Sequence, residues 1–74
     1  MVISLKIFII KLNEELYVNA VLFSTKGLEI IPTFDKEDAA WYEEDKAKKY
    51  CEILNNQDNM KEANFKFTIE EVKK

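Results

Sequence analysis

The sequence predicts an α+β fold: a small single domain, β-β-β-α-β, with one main helix packed on a mostly antiparallel sheet. Three observations predict it. The N-terminal half alternates short runs of β-branched and aromatic residues with polar turns at hairpin spacing. Further on, Ala47, Tyr50, Cys51 and Leu54 fall at offsets 0, 3, 4 and 7, one stripe of a helix. Near the end, Phe65, Phe67 and Ile69 alternate with Lys66, Thr68 and Glu70, the period of a half-buried strand. With 74 residues, one glycine, one proline and no repeat or linker, residues 1–74 read as one domain.

The elements follow in order. Val2 to Lys11 is rich in strand-forming residues and reads as the first strand. Asn13, Glu14 and Glu15 make a polar turn, and Leu16 to Phe23 reads as the second strand. Ser24-Thr25-Lys26-Gly27 is a second turn, in which Gly27 can supply a positive φ. Leu28 to Phe34 reads as the third strand; Pro32 inside it cannot donate a ladder hydrogen bond, so the strand lies at an edge or ends early. Asp35 is placed to cap a short helical turn over KEDAAW, with Glu37 and Asp38 near its positive end. The main helix is expected from about Glu43 to Asn55, with Ile53 widening its apolar stripe and Glu44–Lys48 and Asp45–Lys49 as outer-face pairs. Asn55 to Asn59 reads as a loop. A right-handed crossover from the third strand would lay the last strand beside the first.

Composition narrows the function classes. A single cysteine, Cys51, allows no disulfide within one chain, and the absence of histidine argues against a Cys/His zinc site. No cofactor or metal is expected. All basic residues are lysine and the net charge is −3, so the basic footprint of a nucleic-acid binder is missing. The apolar start MVISLKIFII lacks a basic leader and a cleavage site, and Lys6 and Lys11 break it well short of the roughly 20 residues of a membrane span. The expectation is a soluble, cytoplasmic protein. No Ser-His-Asp set, P-loop or EF-hand loop is present, and Cys51 sits on the apolar stripe with no histidine to activate it. The sequence reads as a non-enzyme.

What stands out is a surface. The stretch LKIFIIKL is apolar on both parities, with Leu5, Ile7 and Ile9 on one and Phe8, Ile10 and Leu12 on the other. The second strand divides likewise into Leu16, Val18, Ala20 and Leu22 against Tyr17, Val21 and Phe23. One helix covers one face of a sheet. The other face is expected to form a protein-binding patch of Phe8, Ile10, Leu12, Tyr17, Val21 and Phe23, with Trp41 and Tyr42 as anchors. Three other readings stay open. The first strand can be central, with Trp41, Tyr42 and the 55–64 loop folded over its second face, or a bulge can swap parity midway. The hairpins of two copies can pair into a homodimer. The acidic stretch Glu37, Asp38, Glu43, Glu44 and Asp45 can imitate a nucleic-acid backbone, or simply cap a helix.

The segment TFDKEDAAWYEEDKAKKYCEILN, followed by FKFTIEEV, resembles small accessory proteins of phages and mobile elements of low-GC Gram-positive bacteria. The resemblance covers residues 33 to 72 and lies in structural motifs: a DKEDA-aromatic turn, an acid-led helix and a last strand ending in EEV. It implies an accessory gene product, acting in the host cell, that binds and inhibits a host or defence protein in an anti-CRISPR or host-takeover role. It carries over no functional residue. The longer, more apolar first hairpin departs from the minimal pattern.

Overall fold

A strand that is apolar on both faces needs neighbours above and below it, and the chain supplies them. A computed structural model describes residues 6–25 and 27–72; the part of the first strand expected over residues 2–5, and Lys26 of the second turn, lie outside them. Strand β1 (Ile7–Leu12) is central. Along one edge it pairs antiparallel with β5 (Phe67–Val72), from Leu12 opposite Phe67 to Ile7 opposite Val72. The other edge is shared. Strand β2 (Leu16–Ser24) meets only Lys11 and Leu12, and the two-residue β4 (Tyr42–Glu43) takes Ile7 and Phe8. Beyond Tyr17, β2 diverges and forms a long hairpin with β3 (Gly27–Thr33).

The last strand therefore lies beside the first, as the sequence predicts. Strand β4 is too short to leave a period and was not expected. One expectation is corrected. Every pairing is antiparallel, so β3 and β5 run in opposite directions, and the right-handed rule for parallel crossovers does not apply.

The turns use the residues their geometry needs. Asn13 opens the first at φ 57, where asparagine is tolerated, and Gly27 closes the second at φ 119. Between Val18 and Ala20 the β2–β3 register slips: Val18 faces Pro32 and Ala20 faces Ile31, which leaves Asn19 as an extra residue. The Asn19 side chain donates to the Asp38 carbonyl at 2.7 Å. This bulge exchanges the parity of β2. Val18 before it and Val21 after it both pack on the core, so the strict two-face division of this strand is corrected.

Helix α1 (Glu44–Asn56) buries Ala47, Cys51 and Leu54 and half-buries Tyr50, the stripe read from the sequence. Ile53 stays exposed and does not widen it. The Glu44–Lys48 pair closes at 3.2 Å. The 55–59 segment is not a loop. Gln57 alone is extended, and α2 (Asp58–Glu62) follows at once. Asn64, at φ 60, ends α2. The Phe65 N–H bonds the Met60 carbonyl at 2.9 Å and the Asn64 N–H bonds the Lys61 carbonyl at 3.0 Å, a Schellman ending. The KEDAAW turn is a single 3-10 turn at Lys36–Asp38, and Asp35 makes no side-chain capping bond there.

Ile10, Leu12, Val18, Leu28, Cys51, Leu54, Met60 and Phe67 form the core, with Phe65 and Ile69 packed against it. Ile9 points the other way and is still only 1% exposed. It shares a shallow cleft with Lys36, Glu37, Trp41 and Val72, so the segment from the 3-10 turn to Trp41 lies over this second face. Both sides of β1 are thus covered by its own chain.

Candidate interaction surface

The eight residues expected to form a partner-binding patch do not share one surface. Phe8, Ile10 and Leu12 are buried. Their side chains take the same side of β1, and Ile10 and Leu12 belong to the core cluster with Cys51 and Leu54 of α1. The helix chose the parity assigned to the open face, because Phe67 and Ile69 stand opposite Leu12 and Ile10 and extend that apolar side. Val21 is half-buried against the same core, carried there by the bulge. Tyr17 is half-buried opposite Thr33.

The aromatic members remain at the surface in part. Phe23 is 75% exposed and Trp41 53%. Tyr42 is half-buried and packs edge-on against Tyr50, ring centroids 5.3 Å apart; burial, then the Tyr50 phenol, raises its pKa. Phe23 meets the Tyr50 ring at 6.4 Å from the far side. The three rings form a row from β4 over α1 to the hairpin tip. Lys46 Nζ lies 5.8 Å from the centroid of the Tyr50 ring. Phe23, Tyr50 and Ile53 floor a groove of about 460 Å³ whose rim carries Glu43, Asp45, Lys46 and Lys49.

Other exposed apolar residues escaped the sequence reading. Leu22 and Ile31 are exposed on the hairpin, and Phe34, just after β3, is 77% exposed. Leu22 pairs with Glu29 and Ile31 with Ala20, on the face of the hairpin opposite Phe23. The signal that could have found them is Asn19, a poor strand former in mid-strand that marks the bulge.

Charge and thiol chemistry are quiet. Glu70 accepts from Lys36 and lies 3.7 Å from Lys11. The Lys36 hydrogen bond is the main cause that lowers the Glu70 pKa and raises that of Lys36. Burial pushes the Cys51 thiol up to about 11, so it is protonated at neutral pH. Among the described residues no cluster of three or more cysteine and carboxylate groups could hold a metal ion, and no helix is long and apolar enough to cross a membrane. Of the acidic stretch, Glu37 lies in the Trp41 cleft and Glu43 and Asp45 on the Phe23 groove, each beside lysines. Comparison of the chain with protein-family models, with curated proteins and with solved structures finds no match.

Proposed function

We propose that this chain is a non-enzymatic protein-binding module, of the phage or mobile-element accessory type its sequence resembles, and that it docks a host protein through the β2–β3 hairpin. The observation that carries the reading is the exposure of Leu22, Phe23, Ile31 and Phe34 on and beside one hairpin, with Phe23 extending an aromatic row across α1. Large apolar side chains left in water along both faces of one hairpin are what a partner surface buries. Inhibition of that host protein follows from occupying its surface, as in an anti-CRISPR or host-takeover role.

The test is a pair of surface variants, Phe23→Asp and Phe34→Asp. Neither side chain is buried, so each variant is expected to melt close to the parent. A host protein captured by the parent is expected to lose about thirtyfold or more in affinity to at least one variant, the size of a hot-spot loss, when measured with the purified partner by calorimetry. Unchanged affinity in both variants would remove the hairpin from the interface.

A further inference from the structure

We infer that the outer edge of β5 is a strand-addition site that takes an extended segment of a partner protein bearing lysine or arginine. The inference extends the protein-binding reading to a second surface, and it stands whether or not the hairpin docks anything.

The geometry begins with Phe67. Its N–H donates to Asn55 Oδ1 at 2.8 Å, and its carbonyl accepts from Asn55 Nδ2 at 2.9 Å. Both groups therefore point away from β1. Lys66 does the reverse, bonding Asn13 through both its backbone groups. In an antiparallel strand this direction alternates. Thr68, Glu70 and Val72 turn inward to β1, and Ile69 and Glu71 turn outward. No hydrogen bond from the described residues reaches those outward groups.

The opposite edge of the sheet is shut. On β3 the Leu28 N–H donates to Gln57 Oε1 at 2.6 Å and the Leu28 carbonyl accepts from Gln57 Nε2 at 2.9 Å. The same alternation turns Ile30 and Pro32 outward, and Pro32 has no N–H to offer. Only Ile30 remains, isolated between two blocked positions. The β5 edge instead offers two successive outward residues, the pattern a partner strand extends.

Charge selects the occupant. Glu70 is matched by Lys36 and Lys11. Glu71 is exposed and forms no ion pair with the described residues. On α1, Glu52 precedes Asn55 by one turn, on the helix side that faces this edge. Among the described residues the uncompensated charge along the edge is negative, and a cation opposite Glu71 gains from it. Among the described residues, an antiparallel second copy sets no cation opposite Glu71. Pairing Ile69 with Glu71 of another copy sets an apolar side chain opposite Glu71. Pairing Glu71 with Glu71 opposes like charges directly. Pairing Ile69 with Ile69 brings Glu71 against Phe67, whose backbone Asn55 already holds.

The experiment follows the Ile69 and Glu71 amides by NMR while capped hexapeptides are added, one alternating lysine with valine and one alternating glutamate with valine. The parent, Glu71→Pro, Glu71→Lys and Phe23→Asp are compared. The lysine peptide is expected to shift both amides and to bind about tenfold or more tightly than the glutamate peptide. Glu71→Lys should invert that preference. Glu71→Pro removes an outward N–H that β1 does not use, so it should abolish peptide binding and keep a cooperative melt. Phe23→Asp should bind the lysine peptide like the parent, which separates this site from the hairpin. Amides that neither peptide moves would overturn the inference. So would a parent dimer that Glu71→Pro dissociates, since the edge would then belong to a second copy.

Discussion

Gln57 performs three tasks, one with its backbone and two with its side chain. Its backbone breaks the helix, its amide pairs both backbone groups of Leu28, and it stands where a Cβ on Gly27 would fall, 2.5 Å from its Oε1. Gln57→Ala leaves the Leu28 N–H and carbonyl without their partners at a part-buried edge and is expected to cost about 1–3 kcal/mol, read as a lower urea midpoint. Gly27→Ala adds strain at φ 119, about 1–3 kcal/mol, and also displaces the Gln57 amide. The two should not add, because in the Gln57→Ala background the displacement has no bond left to break. A double-mutant cycle that is additive would mean that Gly27→Ala leaves the Gln57 bonds intact. Cys51 gives the second residue-scale expectation. Its thiol pKa is about 11 in the fold, above its ordinary value near 9, so folding favours the protonated form. That contribution is complete below about pH 8.5 and is lost as pH rises through 11, because the unfolded chain releases the proton first. Stability should fall across that window, and Cys51→Ala should flatten the fall. At this scale the sequence was legible where a residue type is demanded, as at Gly27 and Pro32. Gln57 and Asn55 were not legible, because an exposed-looking amide carries no mark of the distant backbone it will meet.

Among the elements, α1 was readable to within a residue at each end, because thirteen residues repeat the helical period often enough to outvote exceptions. The faces of β1 and β2 were not. Strict alternation sorts a strand into two sides without saying which side the helix takes, and one extra residue at Asn19 reverses the sorting midway. Half of the expected patch, Phe8, Ile10, Leu12 and Val21, consequently belongs to the interior or packs on it, whereas Phe23 keeps its place at the surface. The consequence is a contrast between two phenylalanines. Phe8 is buried between Tyr42 and Glu71 of the flanking strands, and Phe8→Asp would place an unpaired carboxylate there. It is expected to cost about 3–5 kcal/mol, enough to unfold a domain of this size. Phe23→Asp should stay within about 1 kcal/mol of the parent. Circular dichroism melts of the two variants check the assignment; equal stability would mean that α1 does not lie on the Phe8 side of β1.

At the scale of the whole molecule, the described residues form an elongated body, 45 × 22 × 16 Å, with a radius of gyration of 12.6 Å. A compact chain of this length would give about 11 Å. The excess fits the pairing pattern. After Tyr17, β2 has no partner in β1, so the β2–β3 hairpin leaves the central strand and is held at its tip by Leu28 in the core and by Gln57. Leu22, Phe23, Ile31 and Phe34 nevertheless leave apolar surface in water on and beside this hairpin, which a partner surface would bury. A second copy is the competing occupant, and mass action distinguishes it. Dimer stability rises with protomer concentration, whereas a monomer awaiting a different protein melts at the same temperature throughout. The protein-binding reading predicts a monomeric sedimentation coefficient and an unchanged melting temperature from micromolar to near-millimolar protein. The β5 edge points the same way, since no antiparallel pairing of Ile69 and Glu71 with their copies sets a cation opposite Glu71. A melting temperature that climbs with concentration, and that Phe34→Asp makes constant, would assign the hairpin to self-association. The unpaired edge of β5 would then be the surface left for a partner.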